Sequence, residues 1–144
     1  MKVSEVMQNN IVSIPITATI QEAARVMSGA EIGSILVTEK GKYVGIVTER
    51  DLLKKVVAMG LDPTKETVKN VMSSPLITID ENEYIETAND LMNKNDFRRL
   101  PITRDGEIKG IITSRTILKN IRYSMAKKLS EDHEDKRSYV LREL

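Results

Sequence analysis

The chain has 144 residues, of which 40% are hydrophobic and 30% charged, a balance that suits one ordinary globular domain or two very small ones. The absence of Cys excludes disulfides, thiolate nucleophiles and zinc–cysteine sites, and a formal net charge of +1 gives no general basic field for nucleic acid. One Phe and no Trp leave an aliphatic core. The opening MKVSEVMQNN lacks the apolar run of a signal peptide, and no stretch approaches the roughly 18 apolar residues of a membrane span, so a cytoplasmic protein is expected.

In chain order, Ile11 to Ile14 reads as a short strand ended by Pro15. A helix follows from about Thr19. Its Ile20, Ala23, Ala24 and Met27 fall on one face of a 3.6-residue period, Thr19-x-x-Glu22 is a capping box, and Gly29 is a stop signal. Ser34 to Thr38 and Tyr43 to Val47, around Lys40-Gly41-Lys42, read as a hairpin. A second helix after Thr48 runs through Leu53 and Val57 to Gly60, and Leu61-Asp62-Pro63-Thr64 reads as a linker. The pattern then starts again: a strand at Leu76 to Ile79, a helix carrying Ile85, Ala88, Leu91 and Met92, and a hairpin of Leu100 to Thr103 and Ile108 to Thr113.

This recurrence is a gapless duplication. Val6-Met7 returns as Val71-Met72, and the same offset carries Ile20, Ala23 and Met27 onto Ile85, Ala88 and Met92, and Gly45-Ile46 onto Gly110-Ile111. The expected architecture is α/β (α+β): two β-α-β-β-α units, residues 1–60 and 68–122, joined by a linker at 61–67. Either half alone is too small to be comfortable, so the two are expected to share one core in a single pseudo-twofold module. The charged tail, 123–144, lies outside the repeat, and periodicity leaves open whether it extends the last helix.

Val-x-x-Val-Met opens each half at Val3 and Val68. Gly45-Ile-Val-Thr-Glu-Arg-Asp51-Leu-Leu closes the first, and Arg98-Arg99-Leu100-Pro101-Ile102 followed by Gly110-Ile-Ile-Thr-Ser-Arg closes the second. Over residues 1–122 this resembles a pair of cystathionine-β-synthase (CBS) domains. The resemblance implies two clefts related by the pseudo-twofold, binding of AMP, ADP, ATP or S-adenosylmethionine, pairing into a homodimer, and regulation of a client protein. It implies no catalytic cofactor.

The resemblance also assigns residues. Asp51 would hold the ribose hydroxyls, which suits a carboxylate able to accept two hydrogen bonds from a vicinal diol, and Thr48 would donate to phosphate or ribose. Ile46, Ile77 and Thr78 would flank the adenine, with Phe97, Arg98 and Arg99 on the approach and the Arg fork matching phosphate oxygens. The second cleft would be built from Val12, Ser13, Ile14, Ile32, Gly33, Ile111, Thr113 and Thr116. It is expected to be weak, because Thr116 stands where Asp51 stands in the first repeat.

Each assignment has a plainer counterpart. Thr48-x-x-Asp51 is itself a capping box, and Arg98-Arg99 can be a solvated surface pair. The competing function is a structural or partner-docking module acting through dimerisation and the tail. An enzyme is disfavoured: the only His, His133, sits in the tail beside Glu131, Asp132, Glu134 and Asp135, and no acid–base constellation or phosphate-cradling Gly-rich loop is present. Nucleic-acid binding has only Arg98-Arg99 and Lys127-Lys128 to draw on.

Overall fold

The computed structural model describes the backbone of residues 1–142 and the side chains of residues 1–134. Each half forms a three-stranded sheet with helices. In the first, β1 (Ser13–Pro15) pairs in parallel with β2 (Ser34–Glu39), which pairs antiparallel with β3 (Lys42–Thr48). In the second, β4 (Ile79–Asp80), β5 (Arg99–Arg104) and β6 (Glu107–Thr113) repeat that order. A parallel pair needs a crossover, and α1 (Ile20–Ala30) and α3 (Ile85–Asn95) supply it.

Local chemistry explains these elements. In α1, Ile20, Ala23 and Met27 are buried at helical spacing. The capping box forms, with the Glu22 amide donating to Thr19 Oγ1 and the Thr19 amide to Glu22 Oε2, both at 3.1 Å. The helix passes Gly29 and ends where Glu31 turns left-handed at φ 54°; Asp96 does the same for α3 at φ 55°. Both hairpins turn on two residues of positive φ, Lys40-Gly41 (50° and 75°) and Asp105-Gly106 (52° and 79°), the turn whose twist matches that of the strands. In the linker, Asp62 Oδ1 accepts from the Thr64 hydroxyl at 2.6 Å and the Thr64 amide at 2.9 Å, and these bonds, the hydroxyl's first, hold its carboxyl below the usual range.

Three boundaries differ from expectation. β1 begins at Ser13 rather than Ile11 and takes in Pro15 as its last residue, which an edge strand tolerates. The expected strand at Leu76 to Ile79 shrinks to Ile79–Asp80, so residues 76–78 are left irregular. The helix after Thr48 begins as α2 (Glu49–Asp51) and continues as a π-helix over Leu52–Val57. The last helix, α4 (Ser114–Arg142), runs straight through the end of the repeat for 29 residues, about 43 Å, so the tail continues it. Glu143 and Leu144 lie outside the described residues. No helix among the described residues is long and apolar enough to cross a membrane.

The interior is not the single shared core expected from the small size of each half. It is two buried clusters, each completed by the opening segment of the other half. Val3, fully buried, packs with Ile79, Ile85, Met92, Leu100, Ile102, Ile112 and Ile117 of the second half. Val68 and Val71 pack with Ile20, Met27, Ile35, Val37 and Val47 of the first. The backbone exchange matches. Gln8 and Ile111 trade hydrogen bonds of 2.8 and 2.9 Å, and Ser73 and Ile46 trade bonds of 2.9 and 3.1 Å. Thus each sheet's last strand takes a partner from the opposite repeat. Gly45 and Gly110 make room for this: a Cβ at Gly45 would meet Met72 Sδ at 2.5 Å, and one at Gly110 would meet the Gln8 carbonyl oxygen at 2.9 Å.

Candidate functional site

The crossing of segments leaves a cavity of about 770 Å³ between the end of β3 with the helix after it and the irregular stretch before β4 with the start of β5. That volume is in the range of small-molecule sites, roughly 300–1,000 Å³. Of the residues expected in the main cleft, Ile46, Thr48, Asp51, Ile77, Phe97, Arg98 and Arg99 all line it. Thr78 does not; it is exposed, one residue before β4 begins.

The lining divides by chemistry. Ile46, Leu76, Ile77, Phe97 and Pro101 give an apolar wall drawn from both repeats. Around it Arg50, Lys54, Lys55, Arg98 and Arg99 outnumber Glu49, Asp51 and Asp96, so the cavity favours an anionic ligand. Arg50 and Asp96 pair at 3.2 Å, but with side chains 42% and 85% exposed this bridge contributes little.

Asp51 is the least exposed carboxylate in this lining for which an ion pair forms, 13% exposed as a side chain. Its Oδ2 accepts from the Thr48 amide at 2.9 Å and the Thr48 hydroxyl at 3.1 Å, while the Asp51 amide donates back to Thr48 Oγ1 at 3.2 Å. The capping box is therefore formed. Its Oδ1 faces Lys55 Nζ at 3.0 Å. Lys54 and Lys55 were not among the residues singled out from the sequence. The signal was present: Asp51 and Lys55 are four apart, the spacing at which helical side chains meet.

None of the residues expected in the second cleft lines this cavity. Ile14 belongs to the first buried cluster, with Val12 and Ile32 packed against it; Ser13 lies exposed in β1. Ile111 is buried in β6 and paired with Gln8. Thr113 and Thr116 hold each other, the Thr113 hydroxyl bonding Thr116 Oγ1 at 3.0 Å and accepting from the Thr116 amide at 3.2 Å. Gly33 is covered by Arg99 and Glu49: a Cβ there would fall on the Arg99 guanidinium and lie 2.5 Å from Glu49 Oε1. Arg99 thus lines the cavity and also lies over a residue assigned to the other cleft. Among the described residues, no group of His, Asp or Glu is placed to hold a metal ion.

The geometry can be set beside known proteins. The sequence pattern of the CBS domain matches residues 3–58 and 68–123. A protein from Methanopyrus kandleri is 39% identical over 126 residues, which cover 86% of this chain and 64% of that protein. The chain therefore spans somewhat under two thirds of that relative's length. The CBS domain-containing protein YhcV of Bacillus subtilis is 34% identical, with 76% of this chain and 78% of that one covered. Among solved structures, a CBS-domain containing protein from Agrobacterium tumefaciens superposes with a TM-score of 0.78 at 27% identity, covering 83% of this chain and 98% of that one. A putative signal-transduction protein with CBS domains from Burkholderia ambifaria gives 0.80 at 23% identity, covering 84% and 93%, a likeness of fold alone. CBS pairs are generally regulatory and ligand-binding units. With both repeats matched and the fold shared, the chain belongs to the CBS domain family.

Proposed function

We propose that this chain is a non-catalytic regulatory module whose cavity binds an adenine nucleotide, AMP, ADP or ATP, with S-adenosylmethionine as a further candidate. The observation that carries the reading is the cavity's composition: a nearly buried carboxylate, an apolar wall contributed by both repeats, and an excess of basic side chains. In this reading Asp51 takes the ribose diol, Ile46 and Ile77 flank the adenine, and Arg98 and Arg99 take phosphate oxygens. A ligand that touches both repeats changes their packing only to the extent that it binds one arrangement better, and that difference is what a partner protein reads.

Two copies are proposed to pair through the equivalent helices after β3 and β6. Leu53 and its repeat counterpart Leu118 are 61% and 51% exposed, and Val57, Met125 and Leu129 are exposed beside them in sequence. Leu53→Glu combined with Leu118→Glu is expected to convert a dimer into a monomer in light scattering; an unchanged mass places the contact elsewhere.

One observation favours a second reading, a docking module without a ligand: the capping box and the Lys55 pair already give Asp51 a structural role. Isothermal titration of nucleotide-stripped protein with AMP, ADP, ATP and S-adenosylmethionine separates the two. One adenylate should bind, and Asp51→Asn should weaken it at least tenfold. No binding of any of the four leaves the docking module.

A further inference from the structure

We infer that Lys55 competes with the ligand for Asp51, and that this competition ties occupancy of the cavity to the opening segment of the second repeat. The inference rests on the nucleotide reading of the cavity. An ionised carboxylate offers about four acceptor positions. Asp51 already accepts from the Thr48 amide, the Thr48 hydroxyl and Lys55 Nζ. A vicinal diol needs two positions, so one partner has to leave. The Thr48 amide, fixed by the backbone, and the Thr48 hydroxyl both donate to Oδ2, whereas Lys55 alone holds Oδ1. Lys55, on a flexible stem with a side chain 45% exposed, is the partner most easily displaced.

Lys55 has a second tie. Its Nζ donates to the Val71 carbonyl at 3.0 Å. Val71 is 1% exposed and caps the single turn Val68–Asn70. The next residues, Met72 and Ser73, lie against Gly45, and Ser73 pairs with Ile46, itself in the cavity wall. One ammonium thus joins the ribose-binding carboxylate to the segment that completes the first cluster. The other repeat lacks the device. Thr116 and Asn120 stand at the matching positions, linked by a neutral bond from Asn120 Nδ2 to the Thr116 carbonyl at 2.8 Å. Lys55 is therefore a positioning residue, specific to one cleft.

The test is titration with adenosine, which carries the diol but no phosphate, and with ADP, on wild type, Lys55→Met, Lys55→Arg and Asp51→Asn, with amide exchange followed at Ser73. Loss of an exposed competitor of this kind should tighten adenosine about three- to fivefold in Lys55→Met. ADP should gain less, because its phosphates lose a cation. Lys55→Arg should stay near wild type. Adenosine should alter Ser73 exchange in wild type and leave it unchanged in Lys55→Met. Adenosine binding that is equal or weaker in Lys55→Met, with Asp51→Asn still impaired, overturns this inference and spares the site. Wild-type binding by Asp51→Asn, or no binding by wild type, overturns the site and the inference together.

Discussion

At the scale of single residues, Asp51 closes a capping box with Thr48, and the proposed ribose contact would be a second role. Asp51→Ala keeps Thr48 as the N-cap but removes the reciprocal half of the capping box, at a cost of about 1 kcal/mol, together with any ligand contact. Asp51→Asn keeps an acceptor for the Thr48 amide, so it should lose much less stability in urea than Asp51→Ala while still losing adenylate. Gly33 offers a different probe. Its Cβ position is taken by the tip of Arg99, a flexible side chain that can swing away. Gly33→Ala should therefore cost no more than about 1 kcal/mol by denaturation, despite the close approach. A loss of several kcal/mol would mean that the guanidinium is held in place.

At the scale of elements, the repeat makes the two halves comparable. Gly45 and Gly110 occupy matching positions with matching residues over them, and only the distances differ. Gly45 has Met72 Sδ at 2.5 Å and the Ser73 carbonyl at 3.1 Å, whereas Gly110 has Met7 Sδ and the Gln8 carbonyl both at 2.9 Å, so the paired backbone stands closer at Gly110. Gly110→Ala is expected to destabilise more than Gly45→Ala, by about 1 kcal/mol, in parallel thermal melts. The reverse order would show that the Gln8 segment yields more readily than its pairing implies. The hairpins were legible because Lys40-Gly41 and Asp105-Gly106 announce turns of positive φ. The second half's first strand was not, because the apolar run at Leu76 and Ile77 reads like a strand while its side chains serve the cavity wall.

At the scale of the molecule, each half is finished by the other. Deleting residues 1–8 removes the pairing of Gln8 with Ile111 and the packing of Val3. Amide exchange should then rise in β5 and β6 before β2 and β3. Equal loss in both sheets would show one cooperative unit that fails together. Val3→Ala tests the same contact more gently and should cost about 2 kcal/mol.

The sequence by itself determined the duplication, the order of elements, and the caps and turns, and the resemblance it carries pointed to seven of the residues that line the cavity. The duplication, elements, caps and turns are local, or repeat at a fixed offset, and periodicity and spacing report them directly. The tertiary structure decided the exchange of opening segments, the two clusters in place of one, the Lys55 bridge and the position of Arg99 over Gly33. These depend on which half a segment packs against. Val-x-x-Val-Met reads the same whether it completes its own half or the other, so only the folded chain could distinguish the two.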